Sequence, residues 1–339
     1  MKSIKVSIII PCFNEERYIQ SCLESIVSSS IDVKNTEVIF IDGGSEDGTV
    51  EIIQNLKSSY PFIVLLNNSQ RVTPISMNIG IEASMGEYIF ILSAHASYPK
   101  DYFSKLLKEI DGLEADCVGG VLFTDVKNKN LKSNSIKEIL TNKFGVGNAS
   151  FRTGSDEIKR VDTVAFGCYR KTAFEKYGLY DERLIRNQDI ELNKRIVNGG
   201  GTIYIIPSVH CTYYARETFF ALAKNNFANG KWNILTAFYT KSLHSLSIRH
   251  FIPLFFVLSL LIPLFLSSFN SEFLWIAFFS FISYLALVII SSLQSRDKNH
   301  SFFYLVASFF TLHFSYGLGS LLGIFSLIKI IFKNKKGNE

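Results

Sequence analysis

Apolar and polar positions divide the chain into two stretches that follow different rules. Over roughly the first 240 residues, short apolar runs rich in β-branched residues alternate with segments whose apolar residues recur at helical spacing. KVSIIIPCFN and EVIFIDGG are continuous apolar runs that stop at turn residues, as strands buried on both faces of a parallel sheet do. Between them, Ile19, Cys22, Leu23 and Ile26 fall on one face of a helix predicted over 16–30. The alternation continues: GTVEIIQNLKSS predicts a helix, FIVLLNN a strand, PISMNIGIEASMG a helix closed by Gly86, and EYIFILS a fourth strand. Four strands with intervening helices make a Rossmann-like α/β half, and such sheets bind ligands just beyond the carboxyl ends of their strands.

The second stretch, from about 251 to 332, is dominated by Phe, Leu, Ile, Val and Ser, with charge nearly confined to QSRDKNH. A membrane-spanning helix needs about 20 mostly apolar residues. Residues 251–269 and 273–293 meet that length, and 302–332 reads either as a third span or as a re-entrant hairpin broken at SYGLGSLLG. Ahead of them, 218–249 mixes aromatics, lysines and aliphatics, which suits amphipathic helices lying at a membrane surface. The expected organisation is a catalytic α/β domain over 1–217, an interface segment over 218–249, a transmembrane region over 250–332 and a basic tail over 333–339.

Bulk properties add exclusions. The net charge of +5 comes partly from that tail and gives no case for nucleic acid. The cysteines, Cys12, Cys22, Cys117, Cys168 and Cys211, are odd in number and lack a CxxC pair, which argues against a disulfide framework or zinc site and fits a reducing cytoplasm. The opening MKSIKVSIII reads as a strand rather than a signal peptide.

The candidate chemistry sits where the fold predicts. Pro11, Asn14 and Glu15 follow the first strand, Asp42, Gly43, Gly44 and Asp47 the second, and Ser93-Ala94-His95 the fourth. No GxGxxG follows the first strand and no GxxxxGK[ST] occurs, so the dinucleotide and P-loop fingerprints are absent. IDGGSEDGT reads either as a turn with a helix cap, or as a nucleotide site in which Asp42 accepts hydrogen bonds while the glycines permit close approach. His95 is either a surface histidine or a ligand for a divalent metal, an imidazole suiting Mn²⁺ better than Mg²⁺, with His210 in PSVHCTYY as a second ligand. A helix is predicted from Gln188, with Asp189 and Glu191 in its first turn. Acids there complement the helix dipole, and one facing a cleft can also serve as a general base.

Taken in order, VSIIIPCFNEERYIQSCLESI, VIFIDGGSEDGTVEII, NIGIEASMGEYIFILSAHASYP, FGVGNASFR, VDTVAFGCYRKTAFEKYGLYDERLIRNQDIELNKRI and NNFANGKWN resemble the family 2 glycosyltransferases of the GT-A fold, and within them the branch of bacterial exopolysaccharide (succinoglycan-type) enzymes. The resemblance implies a mixed, mostly parallel sheet followed by a membrane part, and inverting transfer of a sugar from a nucleotide-diphosphate donor, a UDP-sugar foremost. It implies that Pro11, Asn14, Glu15, Asp42 and Gly43 hold the nucleotide. Ser93-Ala94-His95 corresponds to the DxD element, Ser93 replacing its aspartate and His95 keeping the metal role for Mn²⁺ or Mg²⁺. Asp189 corresponds to the catalytic base, with Gln188, Glu191 and Trp232 on the acceptor side. Lys231, in a loose match to the QxxRW element, stands near the diphosphate. The implied partners are a lipid-linked glycan acceptor, the cytoplasmic membrane that this multi-pass chain would cross with its catalytic domain inside, and other polysaccharide assembly proteins. The alternative implied by Ser93 is a catalytically silent relative that scaffolds such an assembly.

Overall fold

The computed structural model describes residues 4–242 and 246–336, the side chains of 333–336 excepted. The lysine side chains of the expected basic tail, and residues 243–245 of the expected interface segment, lie outside the described residues. The chain divides into two compact units, one made of Met1–Thr124 with Ala149–Tyr214 and the other of Asp125–Asn148 with Ala215–Glu339. The excursion of 125–148 into the second unit has no counterpart among the boundaries expected from sequence.

The first unit is built on a mixed sheet. β1 (Val6–Cys12), β2 (Thr36–Asp42), β3 (Ile63–Asn67) and β4 (Tyr88–Ile91) run parallel in the order β3-β2-β1-β4. The sheet continues through β8 (Cys168–Arg170), β6 (Cys117–Asp125), β9 (Ile203–Tyr214) and β5 (Ala96–Ser97), with β7 (Lys159–Arg160) paired to β9; β8 is antiparallel to β4 and to β6. Around it lie α1 (Ile19–Val27), α2 (Thr49–Ser59), α3 (Thr73–Ala83), α4 (Tyr102–Gly112), α7 (Ser150–Thr153), α8 (Lys171–Tyr177) and α9 (Gln188–Asn198).

The period-2 geometry of a strand sorts its continuous apolar runs into two cores. Ile8, Ile10, Phe40 and Phe90 pack with Ile19 and Leu23 of α1 and Phe103 and Leu106 of α4. Ile9, Ile39, Ile41 and Ile89 face the other way, onto Ile81 of α3 and Leu192 and Ile196 of α9. Each strand therefore buries both faces, which is why the sequence shows unbroken rather than alternating hydrophobicity. The register pairs Cys12 with Asp42 and Asp42 with Asn67, so the loops after these strands open along one edge.

The second unit is helical: α5 (Leu131–Ile139), α6 (Lys143–Val146), α10 (Phe219–Tyr239), α11 (Ile252–Leu266), α12 (Phe273–Gln294) and α13 (Phe302–Lys336). Ile136 and Ile139 of α5, Leu222 of α10, Tyr284 and Val288 of α12, and Leu305, Phe309 and Leu312 of α13 form its core. Two expectations are corrected here. The 302–332 stretch is not a broken hairpin, because α13 is one helix of 35 residues. Its glycines serve close approach instead: a Cβ on Gly319 would overlap the carbonyl of Phe227, and one on Gly230 of α10 would overlap the carbonyl oxygen of Tyr316. The Ser320 hydroxyl then donates to Gly230 O at 3.1 Å.

The second correction concerns 251–269, where α11 has only 15 residues, with Pro263 inside it. That is about 22 Å at 1.5 Å per residue, short of the roughly 30 Å hydrocarbon core. Phe273–Gln294 and Phe302–Phe332 are long and apolar enough to cross a membrane. Large apolar side chains, including Phe265, Trp275, Phe279, Phe303 and Phe325, remain exposed on α11, α12 and α13. A surface of that kind fits lipid better than water.

Candidate active site

A cleft of about 330 Å³ opens beside the carboxyl ends of β1, β2 and β4, and every residue that lines it belongs to the first unit. From the β1 loop it takes Pro11, Cys12, Phe13 and Glu15; from the β2 loop Gly43; from the β4 loop Ser93 and His95; and from the start of α9 Gln188 and Asp189. Sequence reasoning thus placed seven residues that the fold brings together: Pro11, Glu15, Gly43, Ser93, His95, Gln188 and Asp189.

The His95 loop is held firmly. Ser93 N–H donates to the Tyr98 hydroxyl at 3.0 Å, and that hydroxyl donates back to Ser93 O at 3.1 Å. Tyr98 itself is buried, and burial holds its phenol well above the usual range. The His95 ring lies 6.2 Å from the Tyr18 ring and 5.6 Å from that of Tyr213, and its Nδ1 is 3.1 Å from Glu15 Oε1.

Asp189 occupies the second position of α9, after Asn187 turns the chain through the left-handed region with φ 62°. Its Oδ1 accepts the Ile190 N–H at 2.9 Å. Burial raises its carboxyl above the usual range, opposed by backbone hydrogen bonds and by the charge of Arg152. Beside it, Gln188 Oε1 is buried with no hydrogen-bond partner among the described residues. One turn on, Asn193 accepts from the Tyr169 hydroxyl at 2.9 Å and donates to Thr163 Oγ1 at 2.9 Å, fixing one wall of the cleft.

Other expected site residues are occupied elsewhere. Asp42 does not line the cleft: its carboxylate accepts Gly44 N–H at 2.9 Å, the Ser45 hydroxyl at 2.6 Å and Ser45 N–H at 3.1 Å. It anchors the turn, one of the two readings of IDGGSEDGT, and its contact with a nucleotide stays an expectation. Asn14, left-handed with φ 56°, accepts Glu46 N–H at 2.9 Å on its side chain and donates its own N–H to Ser45 Oγ at 2.9 Å. Glu191 forms a bidentate pair with Arg195 at 2.7 and 2.9 Å, and that guanidinium also donates to the carbonyls of Tyr177 and Leu179. His210 is not brought to His95; it is exposed, with its ring 4.5 Å from that of Phe123. Lys231 and Trp232 are carried on α10 of the second unit.

Sequence reasoning passed over Phe13, Arg71, Phe166, Tyr169 and Tyr180, all of which line the cleft. Arg71 sits 5.9 Å from the Phe13 ring and pairs with Glu46 at 3.2 Å. A backbone signal marks several of them. Of the described non-glycine residues with positive φ, Arg71 and Phe166 line the cleft, and Asn14 and Asn187 directly precede lining residues. Such strain, about 1–3 kcal/mol at each residue, tends to collect at functional sites.

The donor chemistry at the cleft suits a divalent cation only in part. Among the described residues no cluster of three or more His, Cys, Asp or Glu is placed to hold an ion. One imidazole on the wall, steadied by a carboxylate, fits a metal that arrives with a diphosphate and takes most of its oxygen ligands from it.

The family profile described as Glycosyl transferase family 2 matches residues 7–178. The succinoglycan biosynthesis protein ExoA of Rhizobium meliloti (strain 1021) is 30% identical over 227 residues, which is 66% of this chain and 67% of that protein. The dolichyl N-acetyl-alpha-D-glucosaminyl phosphate 3-beta-D-2,3-diacetamido-2,3-dideoxy-beta-D-glucuronosyltransferase of Methanococcus voltae is 29% identical over 235 residues, 66% of this chain and 71% of that protein. Among solved structures, the mannosyltransferase PcManGT from Pyrobaculum calidifontis, in complex with GDP-Man and Mn²⁺, superposes with a TM-score of 0.60 at 15% identity, covering 90% of this chain and 85% of that one. That likeness establishes the GT-A fold.

Proposed function

The chain belongs to glycosyl transferase family 2, and on that premise we propose that its cleft transfers a sugar, with inversion, from a nucleotide-diphosphate donor to a lipid-linked glycan at the cytoplasmic face of a membrane, in the assembly of a cell-surface polysaccharide. The observation that carries this reading is the convergence of Asp189 and His95 on one cleft at the carboxyl edge of the parallel strands. The nucleotide lies against Pro11, Phe13 and Gly43, with Phe13 as a stacking face and Arg71 beside it. Ser93 reaches a ribose hydroxyl, and the orphan carbonyl of Gln188 accepts from a sugar or acceptor hydroxyl.

Asp189, made more basic by burial, takes the acceptor hydroxyl's proton as that oxygen bonds to the anomeric carbon from the face opposite the diphosphate. The bond to the diphosphate breaks, and an α-linked donor yields a β-linkage. A divalent metal, when bound at His95, offsets charge on the leaving diphosphate. Two apolar helices of this chain long enough to span, together with a relative named for a dolichyl-linked substrate, support the lipid-linked acceptor and the membrane setting.

The test is a thermal-shift panel on detergent-purified protein with UDP, GDP, TDP and CMP, each with and without Mn²⁺. Selective, metal-dependent stabilisation by one nucleoside diphosphate is expected, followed by transfer from the matching sugar nucleotide. No shift with any of them would move the reading to a catalytically silent scaffold, the role suggested by a serine in place of the DxD aspartate.

A further inference from the structure

The resemblance gives Glu15 to the nucleotide, but its geometry ties it to His95. Its carboxylate oxygen stands 3.1 Å from His95 Nδ1. A carboxylate oxygen only accepts, so the nitrogen facing it carries the proton. Glu15 is fixed at its main chain as well: its N–H donates to Thr49 Oγ1 at 2.7 Å, and its carbonyl receives the N–H groups of Tyr18 and Ile19, each at 2.9 Å. The residue therefore enters the cleft from a rigid turn that opens α1. Its side chain is 19% exposed, against 36% for His95, so the carboxylate sits behind the imidazole relative to solvent. Nε2 has no hydrogen-bond partner among the described residues, and the Tyr18 and Tyr213 rings flank the imidazole.

We infer that Glu15 is a positioning residue for His95: it holds Nδ1 as the donor and fixes the ring plane, so that Nε2 offers its lone pair to a divalent cation brought by the diphosphate. This rests on the metal reading proposed above. Metal-ligating histidines generally give their other N–H to a carboxylate or carbonyl, which orients the ring and strengthens the ligand; losing such a partner costs about 10–100-fold in metal affinity. The arrangement also compensates for Ser93. With the aspartate of the element gone, a carboxylate placed behind the imidazole restores negative charge to the site from the far side of the ring. Because the direct protein ligand is then nitrogen, the cleft should favour Mn²⁺ over Mg²⁺.

The experiment is a Mn²⁺ titration of the full chain in detergent, in the presence of UDP and separately of GDP, with the free ion followed by electron paramagnetic resonance. The proteins are wild type, His95→Ala, Glu15→Ala and Glu15→Gln, with His210→Ala as a control, and each is melted in EDTA to check folding. Glu15→Met, of similar length but without the acceptor, stands in if Glu15→Ala fails to fold. The expected result is Mn²⁺ affinity weakened about 10–100-fold in Glu15→Ala, affinity close to wild type in Glu15→Gln, which keeps a carbonyl acceptor, no change in His210→Ala, and melting in EDTA unaltered throughout. Wild-type affinity in Glu15→Ala or Glu15→Met, with binding lost in His95→Ala, overturns the positioning role and leaves the metal reading standing. Wild-type affinity in His95→Ala removes the metal reading, and the role of Glu15 with it.

Discussion

Replacing Asp189 by Asn removes the proton acceptor while keeping the size of the side chain. A positioned general base contributes about 10²–10⁴-fold, so the transfer rate of Asp189→Asn should fall by that factor, equivalent to roughly 2.7–5.4 kcal/mol of barrier. Stability should move the other way or not at all. Folding raises this carboxyl's pKa, so the folded chain holds the proton more tightly than the unfolded one. The residue therefore favours the fold at pH values below the ordinary carboxylate range and opposes it above. At neutral pH the neutral amide relieves that opposition, and the melting temperature should be equal to or higher than that of wild type. In wild-type enzyme the same shift sets the acid limb of the rate profile, which should fall at a pH above the ordinary aspartate value of 3.8 as the base is protonated. The assay pairs single-turnover transfer, measured with the donor identified by thermal shift, with melting of the same preparations. Transfer at the wild-type rate, or a large drop in melting temperature with transfer per folded molecule intact, would show Asp189 to be structural.

Three further substitutions separate structural acids and glycines from the chemistry. Glu191→Gln breaks the charge-assisted pair with Arg195 and should cost about 1.5–3 kcal/mol in chemical denaturation, while transfer per folded molecule is retained; a catalytic role for Glu191 would show as lost transfer at unchanged stability. Gly319→Leu forces α13 away from Phe227 and should sharply lower the yield and melting temperature, whereas Gly112→Ala, whose added methyl meets nothing within 4 Å, should leave both unchanged or slightly raised.

What could be read from the sequence followed from periodicity. The strands of KVSIIIPCFN and EYIFILS and the start of α9 at Gln188 are visible because burial on two faces, or on one helical stripe, dictates residue type directly. What could not be read were positions where one residue type serves two purposes. An aspartate after a strand can bind a ligand, anchor a turn or do both, and only the positions of Gly44 and Ser45 show the anchoring by Asp42. Glycines inside an apolar run can break a helix or let two helices touch, and only the nearness of Phe227 shows the second. Arg71 and Phe166 carried no pattern at all, since their place in the cleft depends on a left-handed backbone rather than on spacing.

The division of the chain has a practical side for anyone seeking the catalytic unit without its membrane helices. Ending the polypeptide after Tyr214 keeps the segment 125–148 but deletes the rest of the unit to which it belongs. Ile136, Ile139 and Phe144 would lose Leu305, Phe309 and Leu312 together and face water as a new sticky patch. Such a truncation invites aggregation even though every residue of the cleft is present. A secretable or crystallisable catalytic fragment requires a second cut, with 125–148 excised and β6 rejoined to α7 by a short polar linker.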